Sequence, residues 1–224
     1  MKFTINNLVK SYGSKEVLKG IDFTFEEGRI YGLLGRNGSG KTTFFNCINR
    51  DIEYNSGEFY FDVDGKRKDL SPEDIGYVVS APVVPEFMTG REFLKFFIEV
   101  HDELKDIKPV DEYFDYMKIA EDDRDRLLRD YSHGTKNKMQ MLLNIIARPS
   151  LMLLDEPLTT LDVVVAAAAS NSRTLLFAST TSAGSMNTVL PVALSSCTIP
   201  LILRFNPGAT GNISRPSRRV GAAS

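Results

Sequence analysis

Residues 35–42, Gly35-Arg36-Asn37-Gly38-Ser39-Gly40-Lys41-Thr42, decide how this chain is read. They fit the pattern G-x-x-x-x-G-K-[ST], and their flanks are what that pattern needs. Before them, Arg29-Ile30-Tyr31-Gly32-Leu33-Leu34 is a short apolar strand; after them, Thr43-Phe44-Phe45-Asn46-Cys47-Ile48 reads as a helix. Glycines let such a loop wrap so that successive backbone N–H groups point at phosphate oxygens, and the helix start adds positive potential. The residues expected to touch a nucleotide are therefore Gly35, Asn37, Gly38, Ser39, Gly40, Lys41, Thr42 and Thr43, with Lys41 reaching the β- and γ-phosphates and the Thr42 hydroxyl ligating Mg²⁺. A flexible Gly/Ser loop is the bland alternative, but average residue usage makes a chance match in a chain of this length on the order of 1%.

The 224 residues suffice for one large domain or two small ones. A net charge of −2 conceals an asymmetry. Residues 163–224 hold Arg173, Arg204, Arg215, Arg218 and Arg219 and no Lys, Asp or Glu, which leaves 22 basic against 29 acidic side chains, or −7, in residues 1–162. An acidic body argues against a nucleic-acid partner. Two cysteines, Cys47 and Cys197, give no disulfide framework, and the N-terminus has no signal-peptide pattern, so a reducing, cytoplasmic setting is expected. Residues 174–203 carry no charge, but they are rich in Ser and Thr and interrupted by Gly184, Pro191 and Pro200. They contain no clean run of about twenty apolar residues, so no membrane span is expected there.

Phe3 and Ile5, then Ile21, Phe23 and Phe25, then Phe59, Phe61 and Val63 alternate with polar residues, the last set running into an Asp64-Gly65 turn. These half-buried strands suggest an antiparallel sheet beside the nucleotide-binding core, with a further apolar strand at Ile75-Gly76-Tyr77-Val78-Val79. Thr89 and Glu92 make a capping-box pattern ahead of Phe93, Leu94, Phe97 and Ile98, a helical face read as core packing. The charges from Asp111 to Asp130 read as solvated helix faces. Ser132 can cap a helix carrying Met139, Leu142, Leu143 and Ile146 on one side and ending at Arg148-Pro149. Leu151-Met152-Leu153-Leu154 is a continuous apolar run, as in a buried parallel strand, and it ends in Asp155-Glu156, where open α/β sheets place their ligands.

Taken in order, the phosphate loop, the segment Tyr131-Ser132-His133-Gly134-Thr135-Lys136 and the run from Leu151 to Asp162 (LMLLDEPLTTLD) resemble the ATP-binding subunits of ATP-binding-cassette (ABC) transporters, in particular the stand-alone bacterial type. The resemblance covers about residues 1–165. It implies an α/β fold: a phosphate-loop, RecA-like core with an antiparallel β subdomain and a helical subdomain near residues 85–130. It also implies an ATPase using ATP and Mg²⁺. Tyr12, upstream of the first sheet, matches the aromatic that stacks on adenine. Asp155 matches the carboxylate that holds Mg²⁺, and Glu156 the one that polarises the attacking water; with Lys41 they would supply positioning and charge neutralisation, which phosphoryl transfer chiefly needs. Ser132 and Gly134 match signature residues that contact the γ-phosphate bound by a partner cassette, with Leu161 and Asp162 in the crossing loop. The partners implied are thus a second copy and a separate membrane permease. The setting implied is the cytoplasmic face of the membrane, with transport tilted outward by the exporter-like pattern.

Two departures stand out. Ser80 occupies the position where the family carries a Mg²⁺-touching Gln, and it is shorter by two heavy atoms. After Val165 the chain opens into Ala166-Ala167-Ala168-Ala169 and a tail with no Lys, Asp, Glu, Gln, His or Tyr; the only histidines are His101 and His133, so the family's switch histidine is missing. Residues 166–224 therefore read as an anomalous tail, translated out of frame or, alternatively, a divergent disordered extension. Thr174-Leu175-Leu176-Phe177 retains strand character. A nucleotide-binding but hydrolysis-deficient cassette is the competing reading of function.

Overall fold

Alternation at the start of the chain produces an antiparallel hairpin, β1 (Lys2–Tyr12) with β2 (Lys15–Glu26), in the computed structural model, which describes residues 1–155, 174–179, 201–205 and 213–214. Strand β3 (Arg29–Leu34) then passes into a second sheet, and helix α1 (Lys41–Ile48) follows it. The chain returns to the first sheet through β4 (Ser56–Val63) and β5 (Lys66–Lys68), giving the order β2-β1-β4-β5. The β4–β5 turn is Asp64-Gly65, both at positive φ (53° and 77°), the geometry a two-residue hairpin favours. Tyr12 does not precede this sheet as expected; it is the last residue of β1, opposite Lys15. Alternation there is broken by bulges, which hid the second half of the strand.

The second sheet is built from β3, β6 (Ile75–Val78), β7 (Leu151–Asp155), β8 (Thr174–Ser179), β9 (Leu201–Phe205) and β10 (Ile213–Ser214), in the order β10-β9-β3-β8-β7-β6. All its pairs are parallel except β9–β10. The strand expected at Thr174 is present, between β3 and β7. β9, which no sequence signal announced, lies beside β3.

Strand β7 explains the two-sided core. Leu151 and Leu153 pack with Phe3, Phe25, Phe44 and Phe61, between the sheets and α1; Met152 and Leu154 pack with Leu94, Met139 and Leu142 on the helical side. A strand covered on both faces must read as an unbroken apolar run, and full burial of each such side chain contributes about 1.5–3 kcal/mol.

The helical region comprises α2 (Gly90–Val100), α3 (Val110–Tyr116), α4 (Glu121–Arg124) and α5 (His133–Ala147). Thr89 and Glu92 form the expected reciprocal cap. Arg148, in the left-handed region (φ 52°), ends α5 ahead of Pro149. One expectation needs correction. The charges between Asp111 and Asp130 are not all solvated: Arg124 is buried, donating to Asp111 and Asp115 with its guanidinium 5.5 Å from the Phe114 ring centre. Arg91 of α2 binds Asp111 and Asp125, so α2, α3 and the α4 end are tied by one ionic network.

Candidate functional site

The six residues between β3 and α1 form a loop whose shape rests on glycine. Gly38 (φ 73°) and Gly40 (φ 107°) both lie in the left-handed region, and Gly40 caps α1. Lys41, the first residue of α1 and only 6% exposed, turns back under the loop, its Nζ donating to the carbonyls of Gly35 (2.8 Å) and Arg36 (3.1 Å). Ser39 is buried, and among the described residues its Oγ has no hydrogen-bond partner. A buried hydroxyl without a partner, a lysine held by carbonyls and a helix N-terminus together fit an anionic group such as a triphosphate, which would satisfy all three.

Directly beside this cradle, the Thr42 Oγ1 donates to Asp155 Oδ2 at 3.0 Å, joining residues 113 apart in sequence. Asp155 is 7% exposed and closes the carboxyl end of β7. Two oxygens so placed beside a phosphate cradle suit a hard divalent cation. One turn further along the same face of α1, the Tyr77 hydroxyl donates to Asn46 Oδ1 at 3.0 Å. Burial, reinforced by the charges of Asp155 and Asp51, pushes that phenol far above the usual tyrosine range, so it stays a donor. Tyr77 thereby fastens β6 to α1. Sequence reading took it only as part of a strand, although a hydroxyl on an apolar strand was a usable signal.

An open cavity of about 470 Å³ joins the loop to the first hairpin. Tyr12, Lys15 and Val17 line one side; Asn37, Gly38, Gly40, Lys41, Thr42 and Thr43 line the other. The structure thus brings Tyr12 to the phosphate loop as expected, and adds Lys15 and Val17, which sequence reading missed because their place depends on how the hairpin folds over. Gly35 and Ser39 lie beneath, in the loop itself. Ser80 is exposed beyond the end of β6 and does not line this cavity. Ser132 and Gly134 do not line it either. Ser132 caps α5 from an exposed position, its Oγ accepting the Thr135 N–H at 3.1 Å. Among the described residues, a Cβ on Gly134 would meet only Ser132 Oγ, at 3.9 Å, and none of them requires glycine there. Glu156, Leu161 and Asp162 lie outside the described residues.

Residues 18–159 match the family model described as ABC transporter. The chain belongs to that family. It is 36% identical over 165 residues to an uncharacterised ABC transporter ATP-binding protein of Methanocaldococcus jannaschii, a match covering 73% of this chain and 59% of the relative. It is 30% identical over 162 residues to the linearmycin resistance ATP-binding protein of Bacillus subtilis, covering 70% of this chain and 51% of that one. The matches therefore span only about half to three fifths of the relatives' length. Among solved structures, the ATP-binding subunit of an ABC transporter superposes with a TM-score of 0.67 at 21% identity, over 91% of this chain and 88% of that one. An ABC transporter ATP-binding protein from Pyrococcus furiosus gives 0.69 at 21% identity, over 90% and 97%. These structures share the cassette fold: an α/β phosphate-loop core with an antiparallel sheet and a helical region. Among the described residues of this cassette, no helix is long and apolar enough to cross a membrane.

Proposed function

We propose that this cassette binds ATP and hydrolyses it as the energy-supplying subunit of an exporter, acting as a pair of cassettes on the cytoplasmic face of a separately encoded membrane permease. The observation that carries the reading is the Thr42–Asp155 hydrogen bond beside the loop closed by Lys41, which sets a cation-ligating pair against a phosphate cradle. Tyr12 would stack on the base, the loop N–H groups and Lys41 would hold the β- and γ-phosphates, and Ser39 Oγ would gain the partner it lacks. Thr42 and Asp155 would hold Mg²⁺, which when bound would neutralise triphosphate charge, and Ser80 would reach it only through water. Glu156 would orient the attacking water. Ser132, exposed, and Gly134, partly exposed, both lie outside the cavity, which supports a role for them at a neighbour's nucleotide in a paired arrangement. The loop after Ser80 offers an apolar surface for a permease, with Val83 and Phe87 strongly exposed. Similarity to a resistance protein supports outward transport.

The test is nucleotide titration of the full chain, followed by turnover in the presence of a co-purified or reconstituted permease. Binding of ATP tighter than about 1 mM, lost in Lys41→Ala, is expected; absence of binding would refute the reading. A second reading, binding without hydrolysis, is favoured by one observation. Both histidines of the sequence are described, and neither lies at the cavity: His101 caps α2 with Nδ1 2.8 Å from the Phe97 carbonyl oxygen, and His133 opens α5. If residues 166–224 are out of frame, an in-frame C-terminus should restore turnover. Tight binding without turnover, unrepaired by that change, would establish the second reading.

A further inference from the structure

Tyr12 is half exposed at the tip of a hairpin, yet stacking on a base requires its ring to be held still. Among the described residues two lysines neighbour the ring, Lys15 opposite it on β2 and Lys10 over the ring itself. Lys10, two residues back on the same face of β1, places its Nζ 4.8 Å from the Tyr12 ring centre. Lys10 is itself partly buried and, among the described residues, forms no ion pair that would draw it away. Its charge is also felt by Cys47 of α1: burial pushes that thiol up to about 11, against the lowering pull of Lys10. Tyr12 lines the nucleotide cavity, and Lys10 is not among the residues that line it.

We propose that Lys10 is a positioning residue for the nucleobase: it holds one face of Tyr12 by a cation–π contact and leaves the other face presented for a purine to stack on. This rests on the ATP-binding reading and adds to it the device that makes an exposed aromatic competent. A cation fixed over one face restricts the ring's rotation before the ligand arrives, so less freedom is lost on binding. A contact of this kind at a partly exposed site corresponds to an effect of about two- to fivefold in affinity.

The experiment compares ATP with inorganic tripolyphosphate, which carries the phosphate charge without a base, by calorimetric titration of the full chain. Lys10→Met should weaken ATP about two- to fivefold and leave tripolyphosphate unchanged. Lys10→Arg should restore ATP affinity, and Lys10→Met should have no further effect in a Tyr12→Ala background. Lys10→Gln, which keeps the polar stem, serves as the second uncharged variant, and intact tripolyphosphate binding certifies the fold of each. Equal losses for both ligands would show a general charge effect and overturn the proposal, as would an undiminished loss in the Tyr12→Ala background. Wild-type protein that binds neither ligand would overturn the ATP reading itself; wild type that binds both, with no selective loss in Lys10→Met, overturns this inference alone.

Discussion

Replacing Gly90 by alanine sets two physical effects against each other at the first residue of α2. Helix propensity favours alanine by about 1 kcal/mol. The packing opposes it. A Cβ at Gly90 would overlap the Tyr131 hydroxyl outright and come within 3.1 Å of Tyr131 Cζ and 3.2 Å of the Arg124 carbonyl oxygen. Tyr131 cannot yield freely, because it is buried and its hydroxyl donates to the Asp123 carbonyl. Overpacking costs about 1–3 kcal/mol, and displacing the ring leaves the Asp123 carbonyl without its donor, a further ~1–3 kcal/mol. Taking mid-range values and subtracting the propensity gain leaves a loss of about 3 kcal/mol, or a fall in Tm of roughly 6–12 °C for a chain of this size. Thermal unfolding followed by circular dichroism measures it. The double variant Gly90→Ala/Tyr131→Phe, which removes the colliding oxygen, should recover part of the loss. A Gly90→Ala protein as stable as wild type, or more so, would refute the argument, since propensity would then have outweighed the contact. Function should follow stability here: Tyr131 immediately precedes Ser132, so a displaced ring would move the start of α5 that carries the signature residues.

Lys41→Ala should reduce ATP affinity at least about 100-fold in equilibrium titration, because it removes the charge-assisted donor to the phosphates. Asp155→Asn should leave Mg²⁺-free ATP binding within a few-fold and abolish the gain on adding Mg²⁺, read by repeating the titration with and without the metal. Ser80→Ala should alter nucleotide affinity by less than about twofold, since Ser80 is exposed and away from the cavity; a larger loss would show that it reaches the metal directly. Asp74 sets a pH dependence. Burial raises its pKa, but Lys68 at 2.7 Å, with the Ser71 N–H and hydroxyl, outweighs that and holds it below the usual 3.8. A carboxylate with a depressed folded pKa stabilises above the unfolded value and loses that contribution as pH falls through the folded one. Urea unfolding below about pH 4 should therefore show a steeper loss of stability in wild type than in Asp74→Asn.

The parts of this cassette that were readable from sequence are those whose physics is local or rigidly spaced. The phosphate loop was legible because glycine geometry and the following lysine fix its pattern. Strand β7 was legible because two-sided burial imposes a continuous apolar run, and the Thr89 and Ser132 caps because each bonds three residues ahead. The second half of β1 was not. Its pairing with β2 shifts register between Ile5 and Leu8, and Asn7 sits at φ 46°. A bulge of this kind puts Phe3, Ile5 and Leu8 into one core although their spacing breaks the period of two. Gly57, whose Cβ would strike the Asn7 carbonyl, is the distant residue that accommodates it. The burial of Arg124 was equally invisible, because its carboxylate partners come from a neighbouring helix. β9 escaped because its place beside β3 is a long-range pairing with no local mark.

Net charge and local field point in opposite directions, and the local field governs the site. Residues 1–162 carry −7, yet among the described residues no acidic side chain lines the cavity between Tyr12 and Thr43, whereas Lys15 and Lys41 do. Asp155, which accepts from Thr42 at the start of α1, suits neutralisation by a cation rather than repulsion of a phosphate. Half of the remaining acidic groups lie in the helical region, where Arg91 and Arg124 already engage Asp111, Asp115 and Asp125. Screening at physiological salt confines each exposed charge to about 8 Å, so a tetra-anionic ligand responds mainly to the loop, the helix start and the two lysines. The consequence is measurable. ATP affinity should fall as salt rises, since salt screens the attraction of these groups; an affinity that rises with salt would mean that the acidic body, not the loop, dominates the approach.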